Sequence, residues 1–142
     1  MTINQISIFL ENKCGRLSKI LGILTEAHIG IIAAMVADTS EYGILRLIVT
    51  DPGKAYALFK ESNVTVSKTE VLALVTDSCA GSFANVLGYF TDAGVSVEYM
   101  YCFSLDGKSI LILRTNNPSE AYDVVRKHKL EYISSADLSK IQ

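Results

Sequence analysis

Two hydrophobic periods alternate along this chain. Residues 5 to 11 alternate apolar with polar side chains, which predicts a strand. Between residues 17 and 24 the apolar side chains recur every three or four positions, which predicts a helix. Residues 29 to 37 and 44 to 49 return to the period of two and predict a hairpin. One strand, one helix and two further strands therefore follow each other in the first part of the chain.

A second helix is predicted from its start signal. Asp51-Pro52 and Asn117-Pro118 each place an oxygen-bearing cap residue before a proline at the first helical position. The two helices are predicted to end near Ser62 and His128. Closing strands are predicted at Val64–Ser67 and Leu130–Ser134. Residues 63 to 77 form an almost continuous extended segment with no flexible linker.

The whole pattern occurs twice, because the chain matches itself at an offset of 66 residues. Gly15 pairs with Gly81, and the same register continues without a gap to Tyr56 and Tyr122. Apolar positions between the identities are also kept. In the second copy the hairpin is predicted at Val95–Phe103 and Ile110–Thr115.

Each copy therefore reads strand, helix, strand, strand, helix, strand, which is the split βαβ arrangement of a ferredoxin-like sandwich. The predicted fold class is α+β: two ferredoxin-like βαββαβ sandwiches in tandem, with antiparallel sheets and the helices on one face. We assign domain 1 to residues 1–69 and domain 2 to residues 70–142. Apolar residues on both faces of the strand at 29 to 37 predict packing against another copy, and a homodimer is expected.

Composition narrows the function classes. The chain has 142 residues, of which 49% are hydrophobic and 20% charged, as expected of an ordered globular protein. Thirteen basic against fifteen acidic residues give a net charge of -2, which argues against nucleic acid and anionic membranes as partners. No apolar stretch is long enough to span a bilayer, and the N-terminus lacks the basic flank of a signal peptide. We expect a cytoplasmic protein.

The cysteines and histidines of the sequence give little support to a catalytic site or a metal site. Cys14, Cys79 and Cys102 are an odd number, widely spaced, and typical of reduced thiols rather than of a zinc site. His28 and His128 occupy non-equivalent places in the two copies, and no nucleophile is matched to either by a motif. The sequence therefore predicts that the chain binds no metal and no cofactor and is not an enzyme.

Two short motifs, each present twice, carry a family resemblance. The loop between the first strand and the first helix reads Asn12-Lys13-Cys14-Gly15-Arg16-Leu17 in the first copy and Ser78-Cys79-Ala80-Gly81-Ser82-Phe83 in the second. The start of the second strand reads Ala27-His28-Ile29-Gly30-Ile31 and Ala93-Gly94-Val95-Ser96-Val97. Together with the doubled element order, these motifs resemble the ACT domain, a small amino-acid-sensing module. Both loops lack the proline that is frequent in that family, and His28 stands where glycine is usual.

The chemistry of the loop has a physical basis that does not depend on the family. A glycine before a helix adopts backbone conformations closed to other residues, and the first-turn amides have no partner inside the helix. Such donors, aided by the helix dipole, favour a carboxylate.

The resemblance implies an amino acid bound at an interface between two modules, touching this loop and the start of the second strand. The residues it nominates are Asn12, Gly15, Arg16, Leu17, His28, Ile29, Gly30, Ser78, Gly81, Ser82, Phe83, Val95 and Ser96.

Simpler interpretations stand beside this hypothesis. Asn12 and Ser78 have the chemistry of ordinary helix caps or turn formers. The helical spacing of Leu17 and Phe83 favours core positions. His28 is more typical of a helix end than of a titrating sensor.

The leading hypothesis is a non-catalytic sensor whose small-molecule ligand, an amino acid, changes its assembly or its packing with a regulated enzyme partner. A structural or protein-interaction module without a ligand is the alternative, and a small ferredoxin-like enzyme is the least favoured.

Overall fold

The computed structural model describes residues 2–11, 13–38, 41–77 and 80–140. Asn12 and Ser78, two of the predicted site residues, lie outside these ranges. Strands and helices of the described residues follow in the order β1 (Thr2–Glu11), α1 (Arg16–Glu26), β2 (Ile31–Asp38), β3 (Tyr42–Val49), α2 (Pro52–Glu61), β4 (Val66–Thr76), α3 (Ser82–Asp92), β5 (Val97–Leu105), β6 (Lys108–Thr115), α4 (Pro118–Lys127) and α5 (Ser135–Ser139).

The chain divides into two compact units. The first unit comprises Asn4–Thr69 together with the C-terminal segment from Ala136, and the second comprises Glu70–Ser135 together with the N-terminal segment through Ile3. Each unit contains one copy of the order strand, helix, strand, strand, helix, with β4 shared by the two units, and the predicted tandem of ferredoxin-like sandwiches is confirmed.

In the first unit the strand order is β2-β3-β1-β4, the order of a ferredoxin-like sheet. β3 lies antiparallel between β1 and β2, with Ile8 of β1 opposite Leu45 of β3. Since side chains alternate along a strand, one face of β1 and β3 carries the apolar residues that the helices cover. These strand residues are buried with Leu24 of α1 and Phe59 of α2, both fully buried.

The second unit repeats this packing. Its strands follow the order β4-β6-β5, and both pairs are antiparallel. Leu72 and Leu74 of β4 are buried with Phe90 of α3 and with Val124 and Val125 of α4.

The starts of α2 and α4 follow the predicted cap chemistry. Asp51 Oδ1 accepts a hydrogen bond from the amide of Lys54 at 3.1 Å, and Asn117 Oδ1 accepts one from Glu120 at 3.2 Å. The helices are followed by the C-cap residues Ser62 and His128, so their predicted ends are confirmed.

The closing strand predicted at Leu130–Ser134 is wrong in extent. Within the described ranges a single bridge forms there, between Tyr132 and Leu74, supported by the Ile133 amide donating to the Ala73 carbonyl at 2.8 Å. The chain then enters α5, which the sequence analysis missed. The predicted hairpin strands also begin later, at Ile31 and Val97, because the residues before them complete the turn out of the preceding helix.

Candidate functional site

The bend between β1 and α1 is built around Gly15. This residue is the N-cap of α1 and has φ 87°, in the left-handed region that favours glycine. A Cβ atom built on Gly15 would meet no heavy atom within 4 Å. The glycine is therefore required by its backbone conformation, and the space above it is open.

The start of α1 presents backbone donors. Among the described residues, which do not include Asn12, no side chain caps this helix. The Lys19 amide donates to the Gly15 carbonyl at 3.0 Å, and the Arg16 amide donates to the Lys13 carbonyl at 3.3 Å. Within the described part of the chain, the amides of Leu17 and Ser18 have no acceptor. An anion placed before the helix would satisfy them.

The bend before α3 has the same geometry. Gly81 is the N-cap, with φ 86°, and no side chain of residues 80–140 or of the other described ranges caps this helix. The Asn85 amide donates to the Gly81 carbonyl at 2.9 Å, which matches the bond between Lys19 and Gly15. Space for a Cβ atom at Gly81 is likewise open. The repeat therefore preserves the backbone of the bend although its side chains differ.

Charged side chains surround the first bend. Glu11 Oε2 lies 3.0 Å from Lys13 Nζ and 3.8 Å from an Arg16 guanidinium nitrogen. The hydrogen bond from Lys13, the charge of Lys13 and then the charge of Arg16 lower the pKa of the Glu11 carboxyl below its ordinary value of 4.5. The Arg16 side chain remains 47% exposed, so this pairing leaves it accessible.

The predicted residues at the start of the second strand lie after α1 and α3. His28 is exposed, with φ 57°, while Ile29 and Val95 are buried in the cores of their units. Gly30 and Ser96 are exposed. Their amides donate to the side chains of other residues, Thr50 Oγ1 and Asn116 Oδ1, at 3.0 Å each. Exposed His28, Gly30 and Ser96 thus remain accessible, whereas the Ile29 and Val95 side chains are core.

Helix α1 separates the two predicted groups within the first unit. It has 11 residues and is therefore about 16 Å long, with Arg16 and Leu17 at its start and His28–Gly30 beyond its end. The second unit has the same arrangement, with Gly81 directly before α3, Ser82 and Phe83 at its start, and Val95 and Ser96 after its end. A single unit does not bring its two groups together.

The two apolar residues of the bends differ in burial. Leu17 is 41% exposed, which contradicts the favoured core interpretation. Phe83 is half-buried and packs against the core of the second unit, so that interpretation holds for Phe83.

A cleft beside the first bend was missed by sequence reasoning. It has a volume of about 190 Å³ and lies in the first unit. Its lining comes from the end of β1, the first turns of α1 and the turn that joins α2 to β4: Phe9, Leu10, Glu11, Arg16, Lys19, Ile20, Ser62, Asn63, Val64 and Thr65. The signal in the sequence was the set of cations Lys13, Arg16 and Lys19, whose equivalents at an offset of 66 are uncharged.

Two further observations concern the described residues only. No group of three His, Cys, Asp or Glu side chains there is placed to hold a metal ion. None of the helices in these ranges has the length and apolar character needed to cross a membrane.

Comparison with known proteins gives one family match. A family model described as an ACT domain pair matches residues 1–142, which is the whole chain. No curated protein matches by sequence.

Solved structures extend this match. The crystal structure of protein BT0572 from Bacteroides thetaiotaomicron is 35% identical, with a TM-score of 0.93 over 99% of this chain and 98% of that chain. The regulatory subunit of aspartate kinase from Thermus thermophilus is 13% identical, with a TM-score of 0.61 over 87% of this chain and 91% of that chain. The regulatory subunit of aspartate kinase from Thermus flavus is 14% identical, with a TM-score of 0.59 over 87% and 90%. The two regulatory subunits share the fold.

Proposed function

This chain belongs to the family of ACT domain pairs, and on that premise we propose that it is a non-catalytic sensor that binds an amino acid at one or both glycine bends. Binding then regulates a partner enzyme or the assembly of the chain itself. The observation that carries this proposal is the pair of helix starts at Gly15 and Gly81, each with a left-handed glycine and with no side-chain cap among the described residues.

The donors at the helix starts suit one kind of ligand group. Two first-turn amides without acceptors and the positive end of the helix dipole suit a carboxylate, which every free amino acid carries. The open space at each glycine admits it. Because α1 separates the bend from His28–Gly30, a ligand that touches both kinds of segment is held between two modules. A homodimer is one source of such a pair of modules.

Catalysis is not part of this proposal. His28 and His128 lie at the ends of different helices, α1 and α4, and His128 stacks on Tyr89 with ring centroids 3.9 Å apart. Cys14 and Cys102 are exposed free thiols, a state typical of a reducing compartment, which supports action in the cytoplasm.

The direct test is calorimetric titration of the purified chain with each of the twenty amino acids, with thermal unfolding in parallel. The proposal expects a saturable heat for at least one of them and a rise in Tm, since a ligand that binds only the folded state stabilises it. The absence of heat and of a Tm shift for all of them overturns the proposal.

Substitution of the bend glycines locates the ligand. Gly15→Ala and Gly81→Ala each place a methyl group in the open space, at a cost of about 1–2 kcal/mol for a left-handed residue. Gly107→Ala is the matched control, because Gly107 has φ 79° and the same open surroundings but lies in the turn between β5 and β6. Loss of binding is expected in one or both bend variants and not in the control. Unchanged binding in both bend variants contradicts the proposed site.

A protein-interaction module without a ligand is the second candidate. It is favoured by the exposed apolar side chains of β2, since Ile31 is 42% and Val36 49% exposed on a strand at the end of the order β2-β3-β1-β4. Sedimentation with and without amino acids separates the two candidates. An assembly that forms without amino acids and is unchanged by Gly15→Ala and Gly81→Ala supports the interaction module.

A further inference from the structure

The cleft beside the first bend carries opposite charges on its walls. Arg16 and Lys19 lie three positions apart at the start of α1, and Glu11 lies at the end of β1. Its volume of about 190 Å³ is enough to admit one small solute.

One of these cations is free for a ligand. Among the described residues Lys19 makes no ion pair, whereas Arg16 lies 3.8 Å from Glu11, beyond good hydrogen-bond distance. Glu11 is ionised at neutral pH and faces Lys13 at 3.0 Å. The cleft thus offers two cations and one carboxylate to an incoming molecule.

The repeat shows that the fold does not need these charges. At an offset of 66, Arg16 corresponds to Ser82 and Lys19 to Asn85. The backbone of the two bends is nevertheless the same, with φ 87° at Gly15 and 86° at Gly81. The cations of the first unit are therefore an addition to a bend that forms without them.

We propose that this cleft binds an acidic amino acid, a small zwitterion with a second carboxylate in its side chain. Such a ligand carries two negative groups and one ammonium, which is the complement of Arg16, Lys19 and Glu11. The walls formed by Leu10 and Ile20 contact its methylene groups. The inference rests on the proposed function, because it names the class of amino acid that the chain binds beside the first bend.

The test compares acids with their amides on the full chain. Titration with L-glutamate and L-aspartate is set against L-glutamine and L-asparagine, which keep the shape and lose one charge. Affinity for one acid is expected to exceed that for its amide by about tenfold, as for the loss of one charge-assisted contact. Glutarate, which lacks the ammonium, is expected to bind more weakly than glutamate.

The second copy supplies the variants. Arg16→Ser and Lys19→Asn install the residues found 66 positions later, and each is expected to lower affinity for the acid by about tenfold. Binding of the amide, which keeps its α-carboxylate, is expected to change little only in the variant that has lost the partner of the side-chain carboxylate. Arg126→Ser removes an exposed arginine of α4 in the second unit and serves as the control, with no expected change. Thermal unfolding verifies that all three variants are folded.

The outcomes separate this inference from the proposed function. Amides that bind as tightly as acids, or acids whose binding survives both Arg16→Ser and Lys19→Asn, overturn the acidic ligand and leave amino-acid sensing intact. A chain that binds none of the twenty amino acids overturns both.

Discussion

Thr50 and Gly30 exchange two hydrogen bonds. The Gly30 amide donates to Thr50 Oγ1 and the Thr50 amide donates to the Gly30 carbonyl, both at 3.0 Å. Ser96 and Asn116 repeat the exchange 66 residues later, again with both distances at 3.0 Å. The repeat thus conserves a junction between the entry to the second strand and the exit of the third, although threonine in one copy is asparagine in the other.

Loss of the side-chain acceptor at this junction is expected to destabilise each unit. Thr50→Val keeps the shape and removes the oxygen that receives the Gly30 amide, and Asn116→Ala removes the acceptor of the Ser96 amide. Each change is expected to lower the free energy of unfolding by about 1 kcal/mol, the net worth of one hydrogen bond. Urea denaturation measures it.

Thr25→Val is the matched control for Thr50→Val. Thr25 Oγ1 only donates to the Leu21 carbonyl at 3.0 Å, within α1, and that carbonyl belongs to the helix ladder. Little change is expected there. Equal effects of Thr25→Val and Thr50→Val would show that the junction contributes no specific stability.

The side-chain caps of α2 and α4 give a second prediction. Asp51→Ala and Asn117→Ala each remove an oxygen that accepts a first-turn amide, at 3.1 and 3.2 Å, and each is expected to cost about 1 kcal/mol. Asp92→Ala is the control, because Asp92 ends α3 and its charge there opposes the helix dipole. Thermal or urea unfolding should show no loss for Asp92→Ala, and a loss as large as that of the cap variants contradicts the prediction.

Local chemistry explains why much of the fold was predictable. The starts of α2 and α4 are set by a cap residue followed by proline, so their position depends on neighbours in the sequence. Because the pattern occurs twice, the elements of one copy could be checked against those of the other, and the ferredoxin-like order was recognisable. Gly15 and Gly81 likewise indicated a bend with a backbone conformation favoured by glycine before α1 and before α3.

Features that depend on tertiary surroundings were not predictable. Helical spacing places Leu17 on the apolar face of α1. It does not show which turns of that face are covered by other elements, and Leu17 is in fact 41% exposed. Helix α5 has five residues, too few for a period to be read. One wall of the cleft at Arg16 and Lys19 is formed by the turn after α2, which lies some forty residues further along the sequence. The sequence alone does not show that these two segments meet.

Burial on one helix face gives a third prediction. Leu24→Ala removes a fully buried side chain from the core of the first unit and is expected to cost about 2–5 kcal/mol. Leu17→Ala, on the same helix and 41% exposed, is expected to cost less than about 0.5 kcal/mol. Urea denaturation of both variants tests the contrast, and similar losses would contradict the exposure of Leu17.

The fourth prediction concerns the pH dependence of Glu11. Its pKa lies below 4.5 because Lys13 first, and Arg16 second, favour the charged carboxylate. A group whose pKa is lower in the folded state stabilises that state above its unfolded pKa, and this contribution is lost as the pH falls through the folded pKa. The effect on stability is small, since Glu11 is exposed and solvent screens the pair.

Nuclear magnetic resonance of the Glu11 side-chain carboxyl carbon measures this pKa directly. Lys13→Met is expected to raise the pKa towards its ordinary value of 4.5, and Arg16→Gln to raise it less, because the Arg16 contact is longer. High salt should also raise the pKa of Glu11 in the native chain, and should raise it less in Lys13→Met, where only the Arg16 charge remains to be screened. A larger rise in Arg16→Gln than in Lys13→Met would reverse the order of the two contacts and would assign Arg16, rather than Lys13, as the main partner of Glu11 in solution.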